Sequence, residues 1–222
     1  MVANFRITAI WKMEMLLLIG FYNYTVWLTY IGMLSSVVGI GFAAGGNVQA
    51  AVICLMFSGF CDMFDGIVAR TKKDRTDEEK RYGIQLDSLS DVVCFGVLPF
   101  AIGISIGANA WWQIAIMALF ALAGLIRLAY YNVTEETRQQ QTSEKRKHYL
   151  GVPITSSALS VPLLFCFKGL IGTAFPIAYT ILLLVNGACF IVPVQVKKPG
   201  KTGLIAMLAA GVVFGLVILL CK

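Results

Sequence analysis

Residues 62–91, DMFDGIVARTKKDRTDEEKRYGIQLDSLSD, decide the fold, because they place four aspartates at the edges of two apolar runs. Asp62 and Asp65 are three residues apart and Asp87 and Asp91 are four apart, so each pair shares one helix face. A charge inside an apolar helix is costly unless it is paired, hydrated or bound to a metal. Two antiparallel helices joined by a short loop would bring both pairs to one depth. The stretch therefore predicts a four-carboxylate cluster at a membrane boundary.

The composition indicates an integral membrane protein. Of the 222 residues, 58% are hydrophobic and 14% are charged, and the mean hydropathy is +0.78. A soluble domain would be about a quarter charged, and a disordered chain would be far less hydrophobic. At roughly 20 apolar residues per span, we predict an all-α polytopic membrane bundle of six to seven transmembrane helices. Residues 1–222 are predicted to form a single membrane domain.

The apolar runs and their breaks predict where these helices lie. An interrupted run at 9–22 is predicted to be an amphipathic helix on the membrane surface. The run at 153–170 is the weakest predicted span, because it is short and contains two prolines. Asn23, Tyr24 and Thr25 are expected to cap the first span. The predicted spans are 25–44, 48–72, 84–107, 111–132, 153–170, 174–195 and 203–221.

The distribution of Lys and Arg predicts the orientation of the chain. The net charge of +6 does not indicate a nucleic-acid partner, because the cations form short clusters between apolar runs. They concentrate in the N-terminal segment and in the loops near 70–83, 133–150 and 197–202. Cytoplasmic loops of membrane proteins carry this excess. We expect a multi-pass protein of the cell (plasma) membrane with its aspartates on the cytoplasmic side.

The four aspartates are predicted to be metal ligands. Carboxylate oxygens suit Mg²⁺, Mn²⁺ or Ca²⁺, and the absence of His or Cys partners in the motif argues against zinc. A two-metal site that clamps a diphosphate is the natural enzymatic use of such a cluster. A divalent cation transporter is the alternative, since intramembrane acids also mark ion pathways. It is disfavoured because the acids cluster at one depth and no repeat of broken helices is evident.

Small residues and an arginine accompany the acids. Gly66, Ala69 and Gly83 would let a ligand approach the backbone closely, and Arg70 would contact phosphate as a fork of donors. The alternative for the small residues is helix packing.

The run D-x2-D-G-x2-A-R-x12-G-x3-D-x3-D, from Asp62 to Asp91, resembles the signature of the CDP-alcohol phosphotransferase family. The gap between Arg70 and Gly83 is longer than is usual there, and we expect it to extend the loop without moving the acids. Residues 86–99, 127–132 and 151–155 resemble the phosphatidylserine synthase branch, although Tyr130 stands where a second arginine is usual.

This resemblance implies a helical bundle, usually a homodimer, with a cavity open to the cytoplasm and the inner leaflet. It implies transfer of a phosphatidyl group from CDP-diacylglycerol to L-serine, which yields phosphatidylserine and CMP. The donor would bind at Asp62, Gly66, Ala69, Arg70 and Gly83. Asp62, Asp65 and Asp87 would ligate the metals, and Asp91 would be a shared ligand or the general base.

The acceptor is the least constrained part of the prediction. Arg127, inside the fourth predicted span, would pair with the serine carboxylate, or would serve as a counter-ion to the acids. Asn132, Thr155 and Ser156 would add neutral hydrogen bonds. Glycerol 3-phosphate and an inositol phosphate are alternative acceptors, for which Arg127 and the cations at 145–147 would supply positive charge.

Overall fold

A computed structural model of the chain describes residues 19–141, 148–197 and 200–220. The predicted interfacial helix at 9–22 lies almost wholly outside the described residues, as do Lys145, Arg146 and Lys147. Numbered in chain order, the elements are α1 (Trp27–Ala44), α2 (Val48–Ala69), α3 (Asp77–Asp91), a π-helical segment (Val92–Val97), α4 (Leu98–Ser105), α5 (Trp111–Gln141), β1 (His148–Leu150), α6 (Ser157–Cys166), α7 (Lys168–Ile171), α8 (Phe175–Ile191), β2 (Gln195–Lys197) and α9 (Lys201–Leu220). Short 3₁₀ turns at Ile154–Ser156 and Gly172–Ala174 precede α6 and α8.

Six helical stretches within the described residues are long and apolar enough to cross a membrane, which confirms the predicted polytopic bundle. They are Trp27–Ala44, Val48–Ala69, Asp77–Ser105, Trp111–Arg138, Lys168–Ile191 and Thr202–Leu220.

The predicted span at 153–170 is wrong as a single helix. Its helix α6 has 10 residues, contains Pro162 and ends at Cys166. At about 1.5 Å per residue it is roughly 15 Å long, about half of a bilayer's hydrocarbon thickness. The residues from Lys168 onwards belong instead to the next candidate span.

The predicted start of the third span and the predicted cap of the first span are also wrong. The third span begins at Asp77 rather than near residue 84, because Thr76 and Glu79 form a capping box. The Thr76 hydroxyl accepts from the Glu79 amide at 3.1 Å, and the Glu79 carboxylate accepts from the Thr76 amide at 3.0 Å. The first span begins at Trp27 without a side-chain cap. The Asn23 side chain instead accepts hydrogen bonds from the amide and the hydroxyl of Thr25.

Close packing of α1 on α2 sets the position of the first pair of acids. A side chain at Gly39 would bring its Cβ within 2.8 Å of the Cys54 Cβ, so only glycine permits this approach. The buried hydroxyls of Ser36 on α1 and Ser58 on α2 also lie in contact, 2.7 Å apart. These contacts hold α2 against α1 and so set the position of the last two turns of α2, which contain the first pair of acids.

The connections before α6 and before α9 meet in a two-stranded antiparallel ladder. Tyr149 pairs with Val196, and Gly151, directly after β1, donates its amide to the Val194 carbonyl at 2.8 Å. Gly151 has φ +74°, and a Cβ there would lie 2.6 Å from the Phe190 carbonyl oxygen, so glycine is required. The ladder therefore ties the start of α6 to the end of α8.

Candidate active site

Three of the predicted acids converge on one point. Asp62 lies in the last two turns of α2, and Asp87 and Asp91 lie in the last turns of α3. Each offers one carboxylate oxygen, and these three oxygens all lie within 4.8 Å of one another. The long loop between Arg70 and Gly83 therefore does not separate the two pairs. Helix α3 begins within that loop sequence and carries its acids back to α2.

Asp65 occupies the edge of this cluster. Its carboxylate accepts a hydrogen bond from the Thr29 hydroxyl at 3.2 Å and lies within hydrogen-bonding reach of Asp87. Thr29 was not predicted from the sequence. Thr29 is one of several hydroxyl residues in α1, and its sequence position does not indicate a partner on another helix.

The donor set fits a hard divalent cation. The group of Asp62, Asp87 and Asp91 contains no His or Cys, and Asp91 is only 8% exposed. Three carboxylates this close at a membrane boundary repel one another unless a cation balances them. The Arg127 guanidinium interacts electrostatically with Asp62 and Asp91, but it supplies one positive charge. The aspartate cluster is therefore one that can hold a metal ion.

A cavity of about 1410 Å³ opens over the acids. Its polar end contains most of the predicted site residues, and its other end is apolar. The polar end is lined by Asp62, Gly66, Arg70, Asp87, Asp91, Arg127, Asn132 and Thr155. The predicted residues Asp65, Ala69, Gly83 and Ser156 do not contribute to the described wall of this cavity.

Two glycines of the motif each lie beneath an arginine. A Cβ at Gly66 would be 3.5 Å from a terminal nitrogen of Arg70, and a Cβ at Gly83 would be 3.9 Å from one of Arg75. The Arg70 guanidinium thus lies over Gly66 at the edge of the cavity. Arg75 comes from the extended loop and was not among the predicted site residues.

The predicted acceptor residues differ in their contacts with the rest of the protein. The Arg127 guanidinium carbon lies 5.5 Å from the centre of the Tyr131 ring, one turn further along α5. The Asn132 amide donates to the Ser88 hydroxyl at 2.8 Å, which joins α5 to α3. The Ser156 hydroxyl is buried and has no hydrogen-bond partner among the described residues. Tyr131 and Ser88 were not predicted.

The last helix supplies one apolar wall, which was not predicted either. One face of α9 lines the cavity at intervals of three or four residues. Helix α9 is apolar all round, so no hydrophobic periodicity distinguishes this face from the lipid-facing ones. These wall residues are Leu204, Met207, Leu208, Gly211, Val212, Gly215 and Leu219.

Comparison with known proteins places the chain in a family. The chain is 36% identical over 132 residues to the CDP-diacylglycerol–serine O-phosphatidyltransferase of Saccharomyces cerevisiae, covering 58% of this chain and 46% of that protein. It is 27% identical over 154 residues to the Bacillus subtilis protein of the same name, covering 68% and 74%. It is 30% identical over 135 residues to the archaetidylserine synthase of Methanothermobacter thermautotrophicus, covering 60% and 54%.

The match to the S. cerevisiae and Helicobacter pylori relatives covers about half of their length. The sequence pattern of CDP-alcohol phosphatidyltransferases matches residues 22–192, which contain all four aspartates and the polar end of the cavity. The chain belongs to the CDP-alcohol phosphatidyltransferase family.

Proposed function

We propose that the protein transfers a phosphatidyl group from CDP-diacylglycerol to the hydroxyl of L-serine, yielding phosphatidylserine and CMP. The observation that carries the proposal is one cavity that joins three clustered carboxylates to an arginine at its polar end and to an apolar chamber. The donor combines a charged diphosphate with two hydrocarbon chains, and the cavity offers surfaces for both. The names of the three relatives described above vary in the lipid and share serine.

Asp62, Asp65, Asp87 and Asp91 would hold Mg²⁺ or Mn²⁺, two ions per site. When bound, the cations neutralise the diphosphate and stabilise negative charge on the phosphoryl oxygens. Arg70, whose guanidinium lies over Gly66, contacts a phosphate from the edge of the cavity. In this arrangement the reacting phosphorus lies beside Asp91.

The chain's own residues then orient the acceptor. Arg127 pairs with the serine carboxylate, while Asn132 and Thr155 offer neutral hydrogen bonds. Asp91 accepts the hydroxyl proton as the serine oxygen attacks the lipid-side phosphorus. A new P–O bond forms, the P–O bond to the nucleotide breaks, and CMP leaves with that electron pair.

We also propose the setting of this reaction. In the sequence, Lys and Arg concentrate in the segments predicted to lie on the membrane side of the acids, as in cytoplasmic loops. This supports an active site that faces the cytoplasm in the cell membrane, within a single domain over 1–222. We propose that the active form is a homodimer.

The test is CMP release by the purified full chain. With CDP-dioleoylglycerol and Mg²⁺ or Mn²⁺, we expect release that requires L-serine and that EDTA abolishes. Glycerol 3-phosphate and inositol 1-phosphate are the comparison acceptors. Release with either of them and none with serine would overturn the serine assignment. No release with any acceptor, together with metal flux into proteoliposomes, would favour the transporter.

The role of Asp91 is tested by comparison with Asp62. We expect Asp91→Asn to abolish transfer and to retain donor binding, measured as thermal stabilisation by CDP-diacylglycerol in the presence of Mg²⁺. Asp62→Asn should lose both. Equal loss of donor binding in the two variants would make Asp91 chiefly a metal ligand.

A further inference from the structure

The cavity continues past the acids as an apolar chamber between α2 and α9. The two helices are joined at the far end, where the Gln49 amide donates to the Ile218 carbonyl at 2.6 Å. The space between α2 and α9 is still narrow near Gly215, since a Cβ there would lie 3.5 Å from the Met56 methyl. One turn nearer the acids, a Cβ at Gly211 would meet nothing within 4 Å. The chamber is therefore a wedge that widens towards the acids, with Gly211 on its open wall.

The dimensions of the chamber match one leaflet of a bilayer. Its wall on α2 extends from Asp62 to Ile53, which at about 1.5 Å per residue is roughly 14 Å. Half of a typical hydrocarbon core is about 15 Å. A molecule with its polar group at the acids would thus have its hydrocarbon chains inside the wedge.

The lining also indicates hydrocarbon. Phe57, Phe60 and Val212 line the cavity and are 46%, 46% and 62% exposed. Water gains few hydrogen bonds in a space with such walls, whereas hydrocarbon fills it favourably. Because the chamber is continuous with the acids, a lipid whose polar group binds at the acids can place a hydrocarbon chain in it.

We propose that this wedge binds a hydrocarbon chain of the lipid donor and that Gly211 sets the length and bulk of chain that the protein accepts. The inference rests on the proposed function for the identity of the donor. It adds a specificity residue on α9, a helix that lies beyond the residues matched by the family pattern.

Gly211→Phe tests this directly, because the new ring would enter open space and fill the wedge. The matched control is Gly41→Phe. A Cβ at Gly41, on α1, would also meet nothing within 4 Å, and Gly41 does not line the described cavity. Each variant is compared with wild type on CDP-dioleoylglycerol and CDP-dioctanoylglycerol, by kcat/KM for CMP release and by thermal stabilisation.

For Gly211→Phe we expect kcat/KM to fall about tenfold or more with the long-chain donor and by less than about threefold with the short-chain donor. Gly41→Phe should leave the ratio between donors unchanged. Gly211→Val adds less volume, so it should change the kcat/KM ratio between the donors in the same direction by a smaller factor. It takes the place of Gly211→Phe in this test if the Phe variant does not fold.

Equal effects on both donors in a folded Gly211 variant, or no effect on either, would overturn the inference. Thermal stabilisation by the two donors needs no acceptor and no turnover, so it reports on the wedge even if serine is not the acceptor. Wild type that is stabilised by neither donor and releases no CMP would instead contradict the proposed function.

Discussion

The acid end and the apolar end of the cavity differ in what they require of their side chains. At the acid end, the chemistry depends on particular atoms: three carboxylate oxygens within 4.8 Å of one another. At the apolar end, the wall is made of interchangeable hydrocarbon groups, and Gly211 leaves open space beside it. A conservative change should therefore be severe at the acid end. At the apolar end, only a change of volume should matter.

The largest effect is expected from Asp87→Asn. The change keeps the volume of the side chain and removes one negative ligand, so we expect kcat/KM to fall on the order of 10³-fold, since metal stabilisation of transition-state charge is worth several kcal/mol. The control is Asp74→Asn, an exposed acid of the loop. Near-normal turnover in Asp87→Asn would show that the acid end tolerates a change that conserves volume, as the apolar end is expected to do.

The thermal stability of Asp87→Asn provides a second test of the acid end. Without metal, removing one of the clustered carboxylates relieves repulsion, so the Tm of Asp87→Asn should equal or exceed that of wild type. Mg²⁺ or Mn²⁺ should raise the Tm of wild type and raise that of the variant much less. A metal-free variant that melts well below wild type would show that Asp87 is needed for packing.

Arg127→Ala is expected to have the next largest effect. Loss of a charged hydrogen-bonding partner is worth about 1.5–3 kcal/mol, so the serine KM should rise roughly 10- to 100-fold while the donor KM changes little. Arg81→Ala is the control, since Arg81 lines the cavity but is 77% exposed at its side chain. If donor KM rises as much as serine KM, Arg127 acts as a counter-ion to the acids.

A smaller effect should separate the structural and binding roles of Asn132. Its hydrogen bond to Ser88 is worth about 1 kcal/mol, so Asn132→Ala and Ser88→Ala should lower the free energy of unfolding by similar amounts. If Asn132 also binds serine, only Asn132→Ala should raise the serine KM. Equal kinetics in the two variants would limit Asn132 to holding α5 against α3.

The smallest effect on activity is expected from Thr76→Ala, outside the cavity. Loss of the capping box should cost about 1 kcal/mol of unfolding free energy, and kcat/KM should stay within about twofold of wild type. Thr137→Ala is a suitable control, because that exposed hydroxyl donates to the Val133 carbonyl of its own helix. A large loss of turnover in Thr76→Ala would show that the start of α3 sets the position of Asp87.

Much of the acid end could be predicted from the sequence. Asp62, Asp87 and Asp91 stand at helical spacings in apolar surroundings, where unpaired charge is too costly to be incidental. Arg127, Asn132 and Thr155, which were predicted to bind the acceptor, also line the cavity. By contrast, Thr29 and Ser88 could not be found, because a single hydroxyl carries no sign of its partner on another helix.

The sequence by itself determined the membrane class, a range of six to seven long helices and the presence of the acid cluster, because hydropathy and helical periodicity act over neighbouring residues. The tertiary structure decided that the run at 153–170 breaks, that Asp65 lies at the edge of the cluster beside Thr29, and that α9 lines the cavity. Every face of a membrane helix can be apolar, so the face that borders a cavity is set by packing between helices and leaves no periodic mark in the sequence.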